Sequence, residues 1–304
     1  MKLVISGAGG FLGRELLGLL VDRDPVSSVI ALDLKIDHIT NFSENSKIEL
    51  FTNEDFLLSD RDLSDYTLIN LAYARSLDFE PIKSSCEWTF ALFEKLQASG
   101  CEKYINISSQ SVYDPRREFP AKESDLPFVS ELYDLGKYYL ENWIREFSEK
   151  YGALHLNLRP SSLVGPNFPQ RITSRLVKKA LEDGEISINL NGQVFSYTHV
   201  NDLARALLAA ADLDRKAAWN KVYNFGSDER YTIEDIAQCI EQVFQKNAMS
   251  LKVNRLPAAA NRLNSSIDAT LFGEATGWTV GYSLYDIVEE EFYEELGKRD
   301  SQLV

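Results

Sequence analysis

Tyr133 and Lys137, in the run Tyr133-Asp134-Leu135-Gly136-Lys137, stand four residues apart and share one face of a helix if the segment is helical. A nearby ammonium favours the phenolate. The spacing therefore predicts a tyrosine drawn from its ordinary pKa of about 10 toward the range of proton exchange with a substrate hydroxyl. Taken alone, the pair is also a common surface contact. Support comes from Ser108-Ser109-Gln110-Ser111, which follows the apolar run Tyr104-Ile105-Asn106-Ile107. Hydroxyls at the carboxyl end of a strand sit where α/β sheets present their ligands, and one there could donate to a substrate oxygen while Tyr133 exchanges the proton.

A second constellation suits an anion. Ser6-Gly7-Ala8-Gly9-Gly10-Phe11-Leu12-Gly13 joins a short apolar run to a helical pattern, with glycines spaced Gly7-x-x-Gly10-x-x-Gly13. Glycines permit a tight turn and close backbone approach, and a helix N-terminus attracts phosphate. The next apolar run, Val29-Ile30-Ala31-Leu32, ends in Asp33, whose carboxylate can accept hydrogen bonds from a ribose diol and would repel a 2′-phosphate. The expected cofactor is NAD rather than NADP, with Lys35 the nearby charge that opposes this preference. For an anionic substrate, the arginine forks of Arg75, Arg171 and Arg175 are the expected contacts.

These residues need a scaffold that alternates strands and helices. Strand-like runs at Leu3–Ile5, Val29–Leu32, Leu68–Leu71, Tyr104–Ile107 and Leu154–Leu158 are separated by segments with apolar residues every three or four positions, at Phe11–Val21, Trp88–Ala98 and Tyr133–Phe147. This is the rhythm of βαβ units. It predicts an α/β protein with a Rossmann-type doubly wound parallel sheet and a smaller C-terminal α/β substrate lobe. The expected division is a cofactor domain over 1–163, with 192–226 packing back onto it, and a substrate lobe from 164–191 and 227–304. Later helices are expected at Ile172–Leu181, Val200–Ala211 and from the N-cap Thr232 to Phe244. A strand is expected at Lys221–Phe225 and a loop over Leu256–Asn264.

At this point the chain resembles the extended short-chain dehydrogenase/reductase family, which includes NAD-dependent nucleotide-sugar epimerases and dehydratases. The resemblance rests on the glycine turn, Asp33, Asn70-Leu71-Ala72, Ser108-Ser109 through Val112-Tyr113, and Tyr133 with Lys137. It continues through Leu158-Arg159-Pro160, Gly165-Pro166, His199-Val200-Asn201-Asp202 and Val222-Tyr223-Asn224-Phe225-Gly226. It implies Ser109 as the catalytic hydroxyl, Tyr133 as acid-base, and Lys137 as the residue that tunes Tyr133 and holds the nicotinamide ribose. It implies Gly7, Gly10, Phe11, Leu12, Gly13, Asp33, Leu71, Ala72, Tyr133 and Lys137 around the cofactor, Ser109 and Gln110 against substrate beside the arginines, and a further phosphate contact in the later segment that holds Arg255 and Arg262. Family dehydratases carry an Asp-Glu pair where this chain has Ser109-Gln110, so redox without loss of water is expected. The implied activity is that of an epimerase or ketoreductase on a sugar, expected to be a nucleotide sugar. The alternative is a non-catalytic NAD-binding sensor or scaffold. Bulky Trp88, Phe90, Phe93, Tyr139 and Trp143 on two helices, with the resemblance, imply a homodimer.

Composition narrows the remaining classes. The formal charge of −14 repels nucleic acid and anionic membrane. No apolar stretch reaches the roughly 20 residues of a membrane span. Cys86, Cys101 and Cys239 lack metal or disulfide spacing, so no metal is expected and the compartment is expected to be the reducing cytoplasm.

Overall fold

A computed structural model of the chain describes residues 1–21, 23, 26–168 and 170–302. The first part of the chain forms β1 (Lys2–Ser6), α1 (Phe11–Val21), β2 (Ser28–Asp33), β3 (Ile48–Thr52), α2 (Asn53–Leu58), β4 (Tyr66–Asn70), α3 (Phe79–Ala98), β5 (Lys103–Ile107), α4 (Leu132–Tyr151) and β6 (Leu154–Pro160). Then come β7 (Ser162–Val164), α5 (Ile172–Asp183), β8 (Glu185–Leu190), β9 (Tyr197–His199), α6 (Val200–Ala211), β10 (Lys221–Phe225), α7 (Ile233–Lys246), β11 (Lys252–Pro257), α8 (Thr270–Thr276) and α9 (Leu284–Gln302). The central sheet is parallel in the order β10-β6-β5-β4-β1-β2-β3. Strand order reverses between β1 and β4, which opens a ligand crevice at their carboxyl ends.

The strands are apolar on both faces because both are covered. Leu3 and Ile5 of β1 join a cluster with Leu16 and Leu20 of α1 and Leu203 and Leu207 of α6. Val4, between them, belongs to a second cluster with Phe56 of α2, Leu92 and Phe93 of α3, and Ile144 and Phe147 of α4. The alternation along one strand thus holds a helical layer on each side. A third cluster gathers Val177 of α5, Ile186 of β8, Ile236 and Ile240 of α7, and Val288 and Phe292 of α9, beside the two-stranded pairing of β11 with β8.

The structure adds β3, α2, β7, β8, β9, β11, α8 and α9 to the elements expected from sequence. β3 is an edge strand in which only Ile48 is buried, so it lacks the apolar run of its neighbours. The strand leading to Ser109 is therefore the fifth in chain order. β11 runs through Pro257, so Leu256 and Pro257 close a strand and the irregular segment begins after them. Thr232 caps α7 as expected, in a reciprocal capping box with Asp235. Near the carboxyl ends of the central strands, Asn70, Asn106 and Asn157 lie in matching register and bond side chain to side chain at 3.1 and 3.0 Å. Asn157 then donates to the backbone carbonyl of Glu141 at 3.2 Å, which ties α4 to the sheet just below the crevice.

Candidate active site

The glycine turn leaves β1 directly at the strand-order reversal. Gly7 has φ of 77°, and a side chain there would meet the Ala72 backbone nitrogen at 2.7 Å, so the turn and the segment after β4 touch backbone to backbone. At Gly13 a Cβ would fall 2.6 Å from the Ala8 carbonyl, which is how α1 comes to start so close beneath the turn. The first turn of α1 contains no acidic side chain, leaving its outward N–H groups for an external anion. Asp33, at the end of β2, accepts from the Gly9 N–H at 2.8 Å and is fixed at the rim. Lys35 is exposed beyond it.

Beside the turn lies a cavity of about 870 Å³ lined by Leu12, Leu71, Ser109, Gln110, Tyr133 and Lys137 among others. β5 delivers Ser109, and the first turns of α4 deliver Tyr133 and Lys137. The Ser109 hydroxyl lies 2.7 Å from that of Ser111 and accepts from the Ser111 N–H at 3.1 Å. Lys137 is buried and donates to the Ile107 carbonyl at 2.7 Å. Burial lowers its pKa to about 7.

Tyr133 departs from expectation in its electrostatics. Its pKa lies above its ordinary value rather than below it: burial, with the charge of Asp134, raises it more than Arg75, Arg171 and the Ser109 hydroxyl pull it down. The cations that favour its phenolate are thus the two arginines, not Lys137. The ammonium of Lys137 faces the ring of Tyr73 instead, 4.0 Å from its centroid. The sequence offered no period or motif that marks Tyr73.

Arg75 and Arg171 both lie against the ring of Phe168, at 5.2 and 5.6 Å, and Phe168 stacks on Phe11 of the glycine turn at 4.7 Å. Arg171 donates to the Leu163 carbonyl at 2.8 Å, and burial together with Arg75 lowers its pKa. Arg175 is exposed on α5 and outside the cavity lining. Arg255 is held by Glu234 and Glu241 at 2.9 and 2.7 Å, and Arg262 is exposed.

Arg117 is a further cavity residue without a sequence signal. It donates to the Ser266 and Asp114 carbonyls and, at 3.0 Å, to Oε1 of Gln110. Because arginine only donates, this contact directs the Gln110 carboxamide oxygen to Arg117 and leaves its NH₂ as the free end. Behind the site, Arg159 of β6 grips Glu141 of α4 through two hydrogen bonds at 2.9 and 2.6 Å, both side chains buried. Among the described residues no cluster of His, Cys, Asp and Glu is placed to hold a metal, and no helix is long and apolar enough to cross a membrane.

Residues 3–226 match the model of the NAD dependent epimerase/dehydratase family. Curated relatives include a trifunctional UDP-glucose 4,6-dehydratase/UDP-4-keto-6-deoxy-D-glucose 3,5-epimerase/UDP-4-keto-L-rhamnose-reductase of Arabidopsis thaliana, 24% identical over 80% of this chain and 40% of that protein. The chain thus spans about 40% of the length of the trifunctional plant relatives it matches. The dTDP-4-dehydro-6-deoxyglucose reductase of Escherichia coli is 26% identical over 81% of this chain and 83% of its own. The fold is that of the UDP-glucuronic acid 4-epimerase of Bacillus cereus, solved with UDP-glucuronic acid and NAD, with a TM-score of 0.81, 24% identity and complete coverage of both chains. It is equally that of the UDP-glucose 4-epimerase of Thermotoga maritima, with a TM-score of 0.79, 22% identity and coverage of 98% of this chain and 100% of the other.

Proposed function

Since the chain belongs to the NAD dependent epimerase/dehydratase family, we propose that it is an NAD-dependent epimerase or ketoreductase acting on a nucleotide sugar by hydride transfer through a keto form. The observation that carries this reading is the enclosure of Tyr133 beside Ser109, Arg75 and Arg171 in a cavity that opens next to the glycine turn.

The chain's own groups fit NAD. The close backbone contact at Gly7, the start of α1 with no acidic residue in its first turn, and the carboxylate of Asp33 offer a pyrophosphate cradle and a ribose acceptor in the order a dinucleotide needs. Gly7, Gly10, Phe11, Leu12, Gly13, Leu71 and Ala72 would surround it, with Lys137 at the nicotinamide ribose. When bound, NAD supplies a hydride acceptor. Tyr133 takes the proton from the substrate hydroxyl as the carbinol carbon is oxidised, and Ser109 donates a hydrogen bond to the same oxygen. Gln110 presents an amide rather than an acid, so nothing at that position supplies the proton that loss of water requires.

A diphosphate-bearing substrate is supported by charge. In a chain of net charge −14 the cavity gathers Arg75, Arg117, Arg171 and Lys137 against Glu131 and Asp134. This excess of cations in one cavity suits an anionic ligand, and the arginine forks suit phosphate. The lobe around α5, α7 and α9 would hold the nucleotide. We read exposed Leu135 and Tyr139 on α4 as part of a homodimer face, and the three free thiols as fitting a cytoplasmic protein.

The test uses UDP- and dTDP-sugars deuterated at the reacting carbon, with mass spectrometry of nucleotide released from the purified protein. Bound NAD and return of label to the same carbon are expected. Label accumulating in free NADH would make the protein a net dehydrogenase. Released NAD without turnover of any sugar would favour the non-catalytic NAD-binding reading.

A further inference from the structure

Tyr73 belongs to none of the motifs above, yet it touches three consecutive landmarks of the catalytic helix. It stands on the segment after β4, and its hydroxyl donates to the Tyr133 carbonyl at 3.3 Å. Its ring meets that of Tyr133 edge-on at 5.4 Å and 82°. The face of the same ring receives the Lys137 ammonium at 4.0 Å. Between Tyr133 and Lys137, Gly136 leaves the room this requires: a Cβ there would collide with the Tyr73 hydroxyl and lie 2.8 Å from Ile82 Cγ2.

The surroundings of Lys137 give the contact its weight. Its one hydrogen-bond partner given by the geometry is the neutral Ile107 carbonyl. Glu141, one turn on along α4, has both oxygens bound by Arg159. Cys86, facing from α3, is kept a neutral thiol because burial raises its pKa. Burial opposes the charge of the ammonium, and the carboxylate that favours it, Glu141, is already shared with Arg159 and makes no hydrogen bond to it. An aromatic face is attractive to a cation, and more so when water is excluded.

We propose that Tyr73 is a positioning residue for the reaction, its ring face holding the Lys137 ammonium charged and aimed, with Gly136 kept side-chain-free to admit it. The inference rests on the assignment of Lys137 to the hydride-transfer site. It adds a requirement on the segment after β4: an aromatic at 73 and a glycine at 136 work as a pair.

The test reads Lys137 directly. The full chain is labelled with ¹³C at lysine Cε, the Lys137 signal is assigned with a Lys137→Met variant, and its titration is followed by NMR with and without NAD. Tyr73→Phe keeps the ring and should titrate with the wild-type protein. Tyr73→Leu should lower the midpoint by about one pH unit, the scale of a desolvated cation–ring contact. Gly136→Ala, which pushes the phenol off its seat without removing it, should shift the midpoint the same way, and adding Tyr73→Phe should bring it back toward wild type. Equal midpoints in wild type and in folded Tyr73→Leu would overturn the proposal. So would equal shifts in the Phe and Leu variants, which would assign the effect to the hydroxyl. If Tyr73→Leu does not fold, the Gly136→Ala pair decides in the same terms. Should Lys137 respond as expected while Tyr133→Phe remains fully active, the hydride-transfer reading fails and the hold of Tyr73 on Lys137 stands.

Discussion

The phenol of Tyr133 is set by opposing influences of burial and charge, and this makes its role accessible to single substitutions. Tyr133→Phe removes only the ionisable hydroxyl, so turnover should fall by about 10²-fold or more while NAD titration is unchanged. Undiminished turnover on the true substrate would assign the proton transfer elsewhere. Arg75 and Arg171 pull the phenol pKa down against burial. Replacing either with Met should therefore move the rising limb of the pH–rate profile to higher pH, since the phenolate then forms later. The limb is measured in kcat/KM with saturating NAD, and a limb that stays in place would show that the arginines serve binding alone.

At the scale of elements, the site depends on how α4 is seated. The helix carries Tyr133 and Lys137 near its start and is locked to β6 by the buried Arg159–Glu141 pair. Removing one partner of such a pair leaves an uncompensated buried charge. Arg159→Met alone should cost about 3–5 kcal/mol in urea unfolding, whereas Arg159→Met with Glu141→Leu should recover most of that loss. Additive losses would mean that the pair stabilises beyond its mutual compensation. The helix itself was readable from its apolar spacing, as was α1 behind the glycine turn. β3 was not, because an edge strand with one buried residue presents no apolar run.

Across the whole molecule, two buried groups outside the cavity lining set opposite pH slopes. Burial, aided by the charge of Arg145, lowers His155 from 6.5 to about 4, so the unfolded chain gains a proton in that window and the folded one does not. Its contribution to stability is complete above 6.5 and is lost as pH falls through about 4. Burial raises Glu291 from 4.5 to about 7, so its contribution is complete below 4.5 and is lost as pH rises through about 7. Between 4.5 and 6.5 the two slopes oppose each other. Relative to wild type, unfolding free energies of His155→Gln should therefore decline with rising pH over this range, and those of Glu291→Gln with falling pH. Parallel curves for all three proteins would show that neither group titrates as its burial dictates.

What the sequence by itself determined was local: the strand–turn–helix at Gly7 to Gly13, the acid at the end of β2, the phenol and ammonium one helical turn apart, and the parallel α/β architecture. Each follows from spacing over a few residues, where backbone geometry dictates which side chains share a face. Contacts between segments distant in the chain were decided only by tertiary structure. Arg75 and Arg171, 96 positions apart in the numbering, converge on one ring and on Tyr133. Arg117 turns Gln110, and Tyr73, 64 positions before Lys137, takes the place beside the ammonium that spacing alone gave to Tyr133. The physical reason is that a charge acts through distance and burial, and both are set by how the segments pack rather than by their separation along the chain.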